Sequence, residues 1–264
     1  MTKKELAERI GVSAMSISNY ENGTRNPDMT IIRKISDELG VSPMDFLSSR
    51  NEDLVFTHKE FRRNSSLLKS NQEYIWESIE EYFNRFYNIV EILGDHVLPN
   101  APRCNAIELS SDNEENAKEL RKYLNISCEG PIPNLINLIE NHGILVYKLD
   151  AKDLRFYGIN GRIGDRPYIA INGAMSAERQ RYTIAHELAH IFFIWPDDMS
   201  EKDYEIIVNS ISGAFMLPEE DAYRELGVNR SGISSDMCLV AKEYGISLQC
   251  LAYRAKQLNI INQT

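Results

Sequence analysis

His186 and His190 stand four residues apart in the run His186-Glu187-Leu188-Ala189-His190. On a helix this spacing projects both imidazoles from one face, about 40° apart around the axis, so that they can share a metal ion. Glu187, beside the first histidine, can reach a metal-bound water without itself ligating the ion, which is the geometry of a general base. Apolar Ile184, Leu188 and Ile191 surround the motif at helical spacing, which argues against a chance pentapeptide on a surface helix.

A zinc ion that keeps one position for water needs a third protein ligand. Glu201, Asp203 and Glu205 all follow within reach of a turn at Pro196, and spacing alone does not separate them. His58, His96 and His142 stand alone in the sequence and are set aside as solvated or capping residues.

Several elements must position these groups. Glu178 to Ile194 reads as one strong helix and Asp203 to Met216 as a second, stopped by Pro218. Ile144 to Tyr147, Phe156 to Ile159 and Pro167 to Ile171 read as strands. Helices are expected over Asn113 to Leu124, Ile132 to Asn141 with Pro133 in its first turn, Glu219 to Leu226, Ser234 to Tyr244 and Ser247 to Leu258. Residues 51 to about 95 read as a helical arm, with Ile75, Trp76, Ile79, Tyr82, Phe83, Phe86, Ile89, Val90 and Leu93 as its packing stripe, and Pro99 to Pro102 ends it. At the N-terminus, Lys3 to Ile10, Ala14 to Tyr20 and Met29 to Leu39 form three short helical patterns, closed by a turn of helix after Ser42-Pro43. The domains expected are therefore 1–50, an arm at 51–98, and 99–264.

Composition sets the bounds. At 264 residues, 43% hydrophobic and 26% charged, the chain is of ordinary globular type and long enough for two domains. Net charge is -10, which excludes wholesale nonspecific binding to nucleic acid. Residues 1–50 hold seven basic side chains (Lys3, Lys4, Arg9, Arg25, Arg33, Lys34, Arg50) and seven acidic ones, so any DNA contact belongs there. Cys104, Cys128, Cys238 and Cys250 are scattered without a CxxC pair; reduced and mostly buried thiols are expected. The longest apolar run, Ile191 to Trp195, is too short for a bilayer, and Met1 to Arg9 lacks the apolar stretch of a signal peptide, so a cytoplasmic protein without membrane contact is expected.

The run Arg179 to His190 resembles the central motif of the ImmA/IrrE family of metallopeptidases. Gly130 to Leu135, Gly161 to Gly164 and the strand ending at Asn172 resemble the segments preceding the zinc helix of that family, and Glu205 to Asn209 with Gly213 to Pro218 resembles its third-ligand helix. The likeness runs from about residue 110 to 220, and Phe56 to Leu93 is similar to a segment that commonly precedes it. The resemblance implies an α+β fold with a zincin-like domain, Glu205 as third ligand beside His186 and His190, Glu187 as base, and zinc as cofactor. Manganese could take the same ligands. It also implies a zinc metalloendopeptidase of gluzincin-like ligand set that cuts a specific protein, a transcriptional repressor, in regulating a mobile element or a stress response.

Thr2 to Ala7, Gly11 to Ser13, Ile17-Ser18 and Tyr20 to Gly23 are similar to an XRE-type helix-turn-helix. In that family a further helix precedes the equivalent of Thr2. Either the start lies further upstream, or Leu6, Ile10, Ile17 and Ile31 are less well covered and DNA binding is weakened. The resemblance places Ala14 to Tyr20 in the major groove of an operator, with Met15, Ser16, Ser18 and Asn19 toward the bases and Lys3 and Arg25 toward phosphate. Three activities are therefore open: peptide-bond hydrolysis, DNA-binding regulation with the peptidase fold as sensor, and an idle, antitoxin-like binding domain. For hydrolysis, Tyr157, Tyr182 and Arg181 are unranked oxyanion donors, and the strand from Tyr168 to Asn172 is expected to pair with an extended substrate.

Overall fold

A computed structural model describes residues 1–47, 51, 53–59 and 67–261. Arg50 and residues 52 and 60–66 of the expected arm lie outside the described residues. The chain forms two compact units, Met1–Asn51 and Glu52–Thr264.

The first unit holds α1 (Lys3–Ile10), α2 (Ala14–Glu21), α3 (Met29–Leu39) and a 3-10 turn at Pro43–Phe46. Each helix starts where a side chain accepts the orphan amides. Thr2 and Glu5 form a capping box, and Ser13 and Asp28 accept from the amides of Ser16 and Ile31. Ala7, Ile10, Ile17 and Ile35 make the core. Ile10 and Ile17 are 4% and 3% exposed, so the expected thin cover applies only to Leu6 and Ile31, which are half-buried.

The second unit is α+β. Its sheet has the order β1-β4-β5-β3, where β1 is Phe56–His58, β3 Leu145–Leu149, β4 Gly158–Ile163 and β5 Arg166–Asn172. β4 is antiparallel to both β1 and β5, and β3 runs parallel to β5. A small parallel pair joins β2 (Ile107–Glu108) to β6 (Phe193–Ile194). The remaining helices are α4 (Lys69–Leu93), α5 (Asn113–Tyr123), α6 (Leu135–Asn141), α7 (Ala177–Phe192), α8 (Glu201–Met216), α9 (Glu219–Leu226), α10 (Asp236–Tyr244) and α11 (Leu248–Gln257).

The two-residue period of β5 divides the core. Tyr168 and Ala170 join Ile75, Ile79 and Phe83 of α4 on one face, while Ile169 and Ile171 join Ile184 and Leu188 of α7 on the other. β5 is thus buried on both faces and paired along both edges, so it cannot receive a substrate strand, contrary to expectation. The α4 stripe is also narrower than expected, since Tyr82, Ile89 and Leu93 are exposed.

The differences from the sequence reading have local causes. Asn134 caps α6, so Pro133 precedes the helix and is not in its first turn. α7 stops at Phe192 because Phe193 turns extended to pair with Ile107. β4 continues past Ile159, because the turn-like pair Asn160-Gly161 lies in the strand. A Cβ at Gly161 would land on the Tyr168 hydroxyl and the Thr57 carbonyl, which explains the glycine there. The four cysteines are free thiols, but none is fully buried, and Cys238 is exposed. No helix among the described residues is long and apolar enough to cross a membrane.

Candidate metal centre

α7 begins at Ser176, whose side chain accepts from the Arg179 amide. Ile184, Ala185, Leu188, Ala189 and Phe192 on its inner face are fully buried, which fixes the rotation of the helix and turns His186, Glu187 and His190 to the other side. Arg181 locks it further by donating to the carbonyls of Ile132 at 2.6 Å and Gly245 at 3.1 Å. Gly158 lets β4 approach closely, since a Cβ there would sit 2.5 Å from Thr183 Cγ2.

α8 packs on α7 through Val208, Ile211 and Phe215 in the same core and brings Glu205 over the two histidines. His186 Nε2 and His190 Nε2 are 3.0 Å apart. Glu205 straddles them, with Oε2 3.4 Å from His186 Nε2 and Oε1 3.7 Å from His190 Nε2. One ligand atom from each of the three residues lies within 4.8 Å of the others. Glu201 and Asp203 do not join them. Both are exposed in the first turn of α8, where the Asp203 carboxylate accepts from Ser200 Oγ at 2.6 Å. Two imidazole nitrogens and a carboxylate converging in this way are a donor set that fits zinc.

Two partners of these groups were not foreseen from the sequence. Asn160 on β4 donates its Nδ2 to Glu187 Oε2 at 2.6 Å, and Glu187 is 7% exposed. Tyr204 Oη lies 2.6 Å from His190 Nδ1, its ring 4.9 Å from the imidazole and edge-on to Trp195 at 4.4 Å. A sequence signal existed for Tyr204, which directly precedes Glu205; Asn160 lies one residue beyond the strand expected over Phe156 to Ile159.

Of the oxyanion candidates, Arg181 is committed to backbone carbonyls. The Tyr182 hydroxyl is held at Asn209, 3.2 Å from its carbonyl oxygen, and burial pushes its phenol well above the ordinary tyrosine range. Tyr157 stays exposed under the Arg179 guanidinium at 4.1 Å. His58, set aside as solvated, is instead half-buried and bonded to the Tyr168 hydroxyl and, at 2.9 Å, to Glu80.

These features sit in a segment with known relatives: residues 139–256 match the family described as IrrE N-terminal-like domain, and residues 1–46 match the helix-turn-helix family. Along the chain, a segment similar to an XRE-type helix-turn-helix is thus followed by one similar to an ImmA/IrrE-type peptidase domain. No curated protein sequence matches it. His186, Glu187, His190, Tyr204, Glu205 and Asn160 all fall inside the IrrE-like match, whereas β1 and α4 precede it.

In the helix-turn-helix unit Met15 on α2 is 69% exposed and Arg25 is exposed, while Ser18 and Asn19 are half-buried. Ser16 has a local bond, its hydroxyl 2.9 Å from that of Ser13, and Lys3 is ion-paired with Glu21.

Proposed function

We propose that this protein is a zinc-dependent endopeptidase that cuts one specific protein, a transcriptional repressor, in control of a mobile element or a stress response. The observation that carries the reading is the convergence of His186, His190 and Glu205 within 4.8 Å beside a Glu187 held by Asn160. His186, His190 and Glu205 hold the ion. When bound, zinc supplies Lewis acidity that polarises a carbonyl and brings the pKa of a water down to about 7.

The rest of the chemistry belongs to the chain. Asn160 fixes one oxygen of Glu187, and with it the direction of the other. Glu187 takes a proton from the attacking water as the new C–O bond forms, and returns it to the leaving nitrogen as the C–N bond breaks. One carboxylate thus serves both halves of the hydrolysis.

The experiment is co-expression of the chain with the repressor encoded beside it, as wild type and as Glu187→Gln. Cleavage by the wild type alone is expected, and cleavage by both would remove Glu187 from the reaction.

The helix-turn-helix match favours a second reading, in which the first unit binds operator DNA and the peptidase domain acts as its sensor. Exposed Met15 and Arg25 suit that role, with Ser18 and Asn19 as polar groups of the same helix region. A salt-dependent mobility shift of operator DNA, lost in Arg25→Ala, is the expected result; equal retention of unrelated DNA would count against it.

A further inference from the structure

Lys59 follows β1, in a stretch that lies outside the IrrE-like match. Its side chain is half-buried, and its Nζ donates to Tyr204 Oη at 3.1 Å, 5.0 Å from the ring centroid. Its backbone amide donates to the Asn160 carbonyl at 3.1 Å. A single residue therefore touches both the tyrosine against His190 and the asparagine against Glu187.

We infer that Tyr204, held by Lys59, is a positioning residue for the metal centre, and that β1 is thereby part of that centre although it precedes the peptidase domain. The inference rests on the proposed metal site. A histidine that ligates through Nε2 as the neutral ring carries its proton on Nδ1, and that proton needs an acceptor. Tyr204 Oη, 2.6 Å away, is placed to be that acceptor. An ammonium only donates, so Lys59 uses another lone pair of the same oxygen and fixes where the oxygen stands. Trp195 edge-on to the Tyr204 ring limits its tilt. The arrangement orients the imidazole from behind, and the second anchor, through Asn160, orients Glu187 from the same strand end.

The test measures zinc affinity by competition with a chromophoric chelator, together with the melting temperature of the metal-free protein. Tyr204→Phe removes one hydroxyl and keeps the ring; its zinc affinity should fall roughly 10- to 100-fold, the usual effect of losing such a partner. Lys59→Met should fall about tenfold, at the low end of that range, and Lys59→Arg, which keeps a donor, should stay within about threefold of wild type. Metal-free melting temperatures close to wild type show that the loss is not one of folding. If Tyr204→Phe does not fold, the Lys59→Met to Lys59→Arg ratio decides alone. Wild-type affinity in both Tyr204→Phe and Lys59→Met overturns this inference and leaves the metal site standing. A wild-type protein that binds no zinc overturns the metal site itself.

Discussion

Asn160 Nδ2 stands 2.6 Å from Glu187 Oε2, so the residue proposed as general base is held from the sheet as well as by its own helix. A hydrogen bond to a charged group contributes about 1.5–3 kcal/mol. Asn160→Ala should therefore lower kcat by about 10- to 100-fold with KM changed much less, since the bond orients the base and does not bind substrate. Steady-state kinetics on the cleaved protein check this. A purely raised KM would mean that Asn160 acts on substrate binding.

The third ligand can be distinguished from its neighbours by substitution. Glu205→Gln should lose stoichiometric zinc, while Glu201→Gln and Asp203→Asn, both in the exposed first turn of α8, should retain it. Where zinc binds, free ion at 100 times Kd should add about 2.7 kcal/mol to stability, read as a rise in Tm that Glu205→Gln does not show.

Much of this site could be read before the fold was known, and the reason is local. Two histidines and a glutamate on one helical turn need no tertiary information, and the end of α8 at Met216 follows from Pro218. What was not legible depends on partners distant in sequence. β1 is three residues long and exists because Phe56 pairs with Ile163. The strand expected over Phe156 to Ile159 stops one residue short of Asn160, whereas β4 runs on through Gly161, which makes room for the Tyr168 hydroxyl. Periodicity alone also does not encode the exposure of Tyr82, which stacks on Tyr147 of β3 at 4.0 Å, or of Ile89 and Leu93 in the last turns of α4.

Stability away from the centre depends on Arg121, which is 1% exposed. It donates to the carbonyls of Phe215 at 2.8 Å, Ser127 at 2.8 Å and Gly130 at 3.0 Å, and burial lowers its pKa to about 10. Arg121→Leu leaves three carbonyls without this donor and should cost about 3–5 kcal/mol in urea unfolding. A cost under about 1 kcal/mol would show that other groups or water replace it.

The cysteines should differ in reactivity. Burial pushes the Cys250 thiol up to about 11, whereas Cys238 is exposed on α10. Alkylation at pH 8 followed by peptide mass spectrometry should label Cys238 at least about tenfold faster. The sign for stability follows the raised folded pKa: the contribution of Cys250 is fully present below its unfolded value and is lost as pH rises through about 11. Stability in the Cys250→Ala variant should accordingly fall less steeply with pH across that window.

The most direct measurement is the metal content of the purified protein, wild type beside Glu187→Gln and His190→Ala. About one zinc per chain in the first two and none in the third is the predicted result, since Glu187 is proposed as a base and His190 as a ligand. A wild-type chain that carries no metal and gains no stability on addition of zinc would contradict the account.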